Sequence, residues 1–231
     1  MQPELQTVDA GYGSIAATPD SQKVLRNTYM LLALTMVPTV LGAFIGIQMA
    51  PAMMASPIMT TVLMLASVIG LQFAIIRYRD SGVGVALLLL MTFLLGAFLG
   101  PLLNVALQLK NGIQLVGYAA TGTGVIFFGM GALASTIKRD LSFMGKFLFV
   151  GMIAVVVAGI ANMFLQIPLF GLVISTLVLV IFSLYLLYDL NRIIRGGETN
   201  YVMATTGVYL SLLNIFTSLL QILMSLSGDR D

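Results

Sequence analysis

The chain is 231 residues long, 59% hydrophobic and only 9% charged, with a net charge of +2 and a mean hydropathy of +1.03. Soluble domains average roughly 45–50% apolar and 25% charged residues; so few charges cannot clothe so much apolar surface in water, and the bilayer must be the solvent for most of the chain. Cysteine and histidine are absent, which excludes disulfides, thiol chemistry and the usual zinc, haem and Ser-His-Asp arrangements, and the basic residues, scattered one or two at a time, form no nucleic-acid-binding patch.

Taken in order, residues 1–22 are polar, with acids at Glu4, Asp9 and Asp20, and are expected to form a flexible cytoplasmic tail without a secretory signal peptide. Residues 23–226 hold seven continuous apolar segments, at about 29–49, 57–76, 83–107, 113–137, 143–165, 168–188 and 203–226. A rise of ~1.5 Å per residue lets each cross a hydrocarbon core of ~30 Å as a helix, and unpaired backbone groups are excluded there. The first is expected to end at Ala50-Pro51, the third to be interrupted at Gly100-Pro101, and the fifth and sixth to meet in a tight hairpin at Gln166-Ile167-Pro168. The sixth is expected to close at Asp189. Residues 227–231 form a short tail on the outer side. The fold class is an all-α, polytopic membrane protein of seven transmembrane helices.

Orientation follows from lysine and arginine. With the N-terminus inside, Lys23, Arg26, Arg77, Arg79, Lys138, Arg139, Lys146, Arg192 and Arg195 are cytoplasmic, and only Lys110 and Arg230 are outside. Nine against two follows the positive-inside rule.

Small residues recur at helix-packing spacing: Gly42 and Gly46 in the first segment, Gly96 and Gly100 in the third, and Gly117, Gly122, Gly124, Gly129 and Gly131 in the fourth. Such positions allow close backbone approach, consistent with a compact bundle or, alternatively, a glycine-lined pore.

The seventh segment is the least apolar. Gly207, Ser211, Asn214, Ser218, Gln221 and Ser225 are spaced 4, 3, 4, 3 and 4 apart, one seam of a helix. Unpaired amides are costly in hydrocarbon, so the seam is expected to face inward and the other six helices to surround a central C-terminal one. The seam is either hydrogen-bonding glue between helices or a polar path for ions or protons.

Asp189 ends the long apolar run Tyr185-Leu186-Leu187-Tyr188. At a helix C-terminus the macrodipole disfavours a carboxylate, and Arg192, Arg77 and Arg79 are available on the same side as partners. Asp189 is then either a proton-sensitive latch or gate or a plain interfacial charge. The candidate gate or ion path comprises Asp189, Arg77, Arg79, Arg192, Ser211, Asn214 and Ser218. Asn104 and Asn162 are expected to cap or join helices at the outer face. An intramembrane enzyme is disfavoured: rhomboid-like and metalloprotease chemistry both use histidine, and no pair of acids lies at the depth of a scissile bond. No cofactor or metal is expected.

The run Leu95-Gly-Ala-Phe-Leu-Gly-Pro-Leu-Leu-Asn104 resembles the Gly-Pro signature of the Bax inhibitor-1 (TMBIM, UPF0005) family. Ala161-Asn-Met-Phe-Leu-Gln-Ile-Pro168, Gly196-Gly-Glu-Thr-Asn-Tyr201, Tyr209-Leu-Ser-Leu-Leu-Asn-Ile-Phe216 and Lys23-Val-Leu-Arg-Asn-Thr-Tyr29 resemble its bacterial YccA-like branch, so that the likeness runs from about Lys23 to Ser225. The resemblance implies six helices around a hydrophobic seventh, a place in the bacterial inner membrane, and two functional themes. One is modulation of membrane-protein quality control as a substrate and inhibitor of the FtsH protease, with HflK/HflC as its partners. The other is a pH-sensitive calcium or proton leak. The leak theme rests on two aspartates, and the resemblance places them at Asp189 and at Ser211. A Ser–Asp pair lacks the like-charge coupling of two carboxylates.

Overall fold

The computed structural model describes residues 19–228. Among these residues the chain forms eight helices and no strand: α1 (Pro19–Ala55), α2 (Pro57–Tyr78), α3 (Gly82–Phe98), α4 (Gly100–Gln108), α5 (Gly112–Thr136), α6 (Met144–Leu165), α7 (Pro168–Ile194) and α8 (Tyr201–Gly228). With α3 and α4 taken as one interrupted span, seven helical segments are long and apolar enough to cross a membrane. The expected tails over 1–22 and 227–231 lie outside the described residues except for 19–22, in the first turns of α1, and 227–228, at the end of α8.

Two boundaries differ from those expected. α1 runs through both Pro38 and Pro51 to Ala55, rather than ending at Ala50-Pro51. Proline removes one backbone donor, but helices in lipid tolerate it where nearby hydroxyls re-satisfy freed carbonyls. In the last turn of α1 the Thr60 hydroxyl of α2 donates to the Met53 carbonyl at 2.9 Å, which satisfies a helix-end carbonyl and not the Ile47 carbonyl that Pro51 frees. α7 continues past Asp189 to Ile194, because Leu190, Asn191 and Ile193 still find buried contacts. The break at Gly100-Pro101 is present: α3 stops at Phe98, and Pro101 opens α4 where a missing N–H costs nothing. The hairpin is present too, closed by Gln166 in the left-handed region at φ 53°.

The first and third spans interlock through glycine. A Cβ on Gly42 would fall on the Phe93 carbonyl, one on Gly46 on the Ala97 carbonyl, and one on Gly96 on the Thr39 carbonyl. Gly100 meets the backbone of Gly46 itself. Both glycine pairs are therefore used for backbone contact, as their spacing suggested. Several glycines of α5 behave otherwise, though a Cβ on Gly112 would meet the Ala106 carbonyl and one on Gly122 a Leu219 methyl at 3.1 Å. Gly117, Gly124 and Gly129 have no heavy atom from another part of the chain within 4 Å of a would-be Cβ, and Gly131 meets only a leucine methyl at 3.9 Å. Close approach is a property of the helix facing a glycine as much as of the glycine.

α8 packs against α1, α2, α3, α4, α5 and α7. The exception to six-around-one is α6, which packs against α7 alone among the described helices. The core follows α8, where Val202, Val208, Tyr209, Ile215 and Leu220 are fully or almost fully buried. Many of the remaining large apolar side chains, such as Phe73, Phe128 and Phe147, face outward, as in a protein whose solvent is lipid.

Candidate functional site

The ends of α2, α5 and α7 and the starts of α1, α3, α6 and α8 gather most of the basic residues at one end of the bundle. α7 and α8 lie antiparallel in a register fixed at two points, one of them at this end. The Ser175 hydroxyl donates to Gln221 Oε1 at 2.6 Å. Fourteen residues along each helix from these two, the Asp189 carboxylate rests on Gly207, with Oδ2 2.9 Å from where a Cβ would stand. Glycine makes room for the carboxylate.

Asp189 is partly buried and lies more than a turn inside α7, so the helix C-terminus is not what surrounds it. No lysine or arginine nitrogen among the described residues is within 4 Å of it. Arg192, one turn on, is a positive charge that bears on it, opposed by Glu198. Arg192 is engaged elsewhere: its Nη2 pairs with Glu198 at 3.2 Å and its Nε donates to the Gly197 carbonyl at 3.1 Å. The arginine thus closes the α7–α8 loop. Arg77 and Arg79 are not brought to the carboxylate. Arg77 stacks over the Tyr78 ring at 5.9 Å, and Arg79 pairs with Asp80 at 3.6 Å with both side chains largely exposed.

The α8 seam splits in two. Ser211 and Ser218 are buried, and the α7–α8 register puts Ser211 level with Tyr185, one turn from Asp189. Asn214 is partly buried and satisfies itself, Nδ2 donating to the Leu210 carbonyl at 2.8 Å. Gln221 and Ser225 are exposed, although Gln221 turns its Oε1 to the Ser175 hydroxyl of α7. Asn162 joins α6 to α7 by accepting from the Ile167 amide at 3.2 Å. Asn104 instead accepts from Gln108 on its own helix at 2.8 Å. Among the described residues no cluster of three or more acidic side chains offers a metal site.

Several residues shaping this end carry little signal in the sequence. Asn191, almost fully buried, accepts from the Leu141 amide at 3.2 Å and donates to the Arg139 carbonyl at 3.3 Å, while Arg195 donates to the Ile137 carbonyl; together they fasten α7 to the α5–α6 loop. Asn200 caps α8, its Oδ1 accepting from the Val202 and Met203 amides at 3.0 Å each, and its Nδ2 donates to Asp80 Oδ1 at 2.7 Å. An asparagine just before an apolar helix is a cap signal that could have identified it. In the α5–α6 loop Asp140 Oδ1 accepts from the Ser142 hydroxyl at 2.6 Å and its amide at 2.9 Å, which hold its carboxyl below the usual range. Deeper in, the Tyr209 hydroxyl lies 2.9 Å from Thr39 Oγ1 and 3.3 Å from the Thr92 carbonyl oxygen, tying α8 to α1 and α3.

Comparison with known proteins agrees with this architecture. The family model for the inhibitor of apoptosis-promoting Bax1 matches residues 21–228. A membrane protein of Vibrio cholerae is 40% identical over 210 residues, covering 91% of this chain and 92% of its own. The Escherichia coli K12 protein named modulator of FtsH protease YccA is 38% identical over 209 residues, covering 90% and 93%; its counterpart in E. coli O6:H1 is named inner membrane protein YccA. With a family match over nearly the whole described chain and the seven spans in place, this membrane protein belongs to the Bax inhibitor-1 family.

Proposed function

We propose that the protein modulates the FtsH protease in a bacterial inner membrane, as a slowly processed substrate that restrains proteolysis, with HflK/HflC in the same assembly and without catalytic chemistry of its own. The observation that carries this reading is the 38% identity, over nine-tenths of both chains, to a relative named as a modulator of that protease. The excess of basic residues at one end supports a cytoplasmic N-terminus and a periplasmic C-terminus. A protease gripping residues 1–18 would pull on α1. That helix is keyed into α3 and α4 by Gly42, Gly46, Gly96 and Gly100, so extraction must separate backbones in direct contact. Slow extraction keeps the protease occupied. The test is degradation of the full-length chain by FtsH in proteoliposomes, compared with a variant lacking residues 2–18. The variant should persist while the full chain slowly disappears. Equal rates for the two would refute the grip.

A second reading, a calcium or proton leak, is favoured by one feature: Asp189 sits partly buried against Gly207 with no cation within 4 Å among the described residues. Calcium-loaded liposomes carrying the protein, with Asp189→Asn and Ser211→Asp compared, test it. A leak lost in the first and raised in the second supports conduction; unchanged flux in both contradicts it.

A further inference from the structure

α1 and α5 flank α8 without packing on each other: no pair of their Cα atoms lies within 8 Å among the described residues. Packed helices have axes ~8–10 Å apart and bring backbones within that range, so a crevice separates these two. It holds two adjoining cavities. One cavity, of about 600 Å³, is walled by Tyr29 and Met36 of α1 and by Phe127 and Ser135 of α5. A second, of about 390 Å³, lies between Thr39 and Ala43 of α1 and Val116 and Thr123 of α5. Met36 and Leu212 line both, the latter as floor on α8. The Tyr29 ring crosses the crevice to meet Phe127 edge-on at 5.8 Å.

Three observations identify the occupant. The crevice lies inside apolar spans and is itself overwhelmingly apolar, so a hydrocarbon chain fits its chemistry and water does not. It is also too narrow for a helix, whose diameter with side chains is ~10–12 Å, because Tyr29 and Phe127 already touch across it. Its mouth is basic. Arg26 lies three residues before Tyr29 on the same face of α1, and Lys138 follows in the loop two residues past the end of α5 at Thr136; both are exposed. Basic groups at that level attract anionic headgroups.

We propose that the α1–α5 crevice is a binding site for one anionic phospholipid, an acyl chain lying over Leu212 and the phosphate held at Arg26 and Lys138. The site is separate from the Asp189 region and independent of the protease reading.

The test uses the full chain in detergent, titrated with phosphatidylglycerol and with phosphatidylcholine of the same acyl chains and followed by native mass spectrometry. The protein should retain one phosphatidylglycerol with a preference of roughly thirty-fold over phosphatidylcholine, the order expected of two basic groups at an anionic lipid surface. Arg26→Ala with Lys138→Ala, both at exposed positions, should abolish that preference. The chain contains no tryptophan, so Leu212→Trp supplies a single reporter, which lipids brominated on the acyl chain should quench. Equal retention of the two lipids by the unmodified protein, an undiminished preference in the double variant, or an unquenched tryptophan at 212 would each overturn the proposal.

Discussion

The Asp189 carboxylate occupies the space that a side chain on Gly207 would take: a Cβ there would stand 2.9 Å from Oδ2 and 3.3 Å from Cγ. Gly207→Ala must therefore turn the carboxylate away from α8. Because the displaced atoms are the far end of one side chain, the cost should fall near the low end of the overpacking range, about 1 kcal/mol. Thermal unfolding in detergent of Gly207→Ala, Asp189→Ala and the double variant checks it. The double variant should recover most of what Gly207→Ala loses; additive losses would show that the two residues do not interact.

The glycines divide into two classes with opposite responses. Gly46→Ala drives a methyl into the Ala97 backbone, which cannot yield without parting α1 from α3, and should destabilise by about 3 kcal/mol or more. Gly124→Ala enters open space and should be neutral or stabilising by up to ~1 kcal/mol through helix propensity. Measured side by side, the unfolding midpoint should fall for Gly46→Ala and hold or rise for Gly124→Ala.

Asn200 works at both ends of its side chain, capping α8 and holding the α2–α3 turn through Asp80. Asn200→Ala should cost about 1–2 kcal/mol. Hydrogen exchange should rise in the first turn of α8 and around Arg79 together. A rise confined to α8 would show that the bond to Asp80 holds nothing in place.

The Ser142 hydroxyl, then its amide, hold the Asp140 carboxyl below its ordinary pKa. A carboxylate lowered in the folded state contributes stability above its ordinary pKa, and this is lost as pH falls through the lowered value. Ser142→Ala should move the Asp140 titration up toward the ordinary carboxylate range, as read by NMR. Its exposure makes the effect on overall stability small.

The seven spans were legible because hydrocarbon imposes a length and an apolarity that no other solvent demands, and the Gly100-Pro101 break and the Gln166 hairpin because proline and chain direction leave few alternatives. The end of α7 was not legible: Leu190, Asn191 and Ile193 extend it through tertiary burial, which periodicity does not reveal. The same limit applies at the site. Asp189 was visible as an acid closing an apolar run, but its seat on Gly207 depends on the α7–α8 register. That register is fixed by Ser175 and Gln221, residues distant in sequence. Arg77 and Arg79 share the right end of the bundle but find Tyr78 and Asp80 first, because sequence neighbours need no register to meet.

The restraint of FtsH is tested most directly by its cleavage of an unrelated membrane substrate in proteoliposomes, measured with and without this protein at equal molar amount. Cleavage should slow when the full chain is present and return to the original rate when residues 2–18 are removed. An unaltered rate in the presence of the full chain would contradict the assignment.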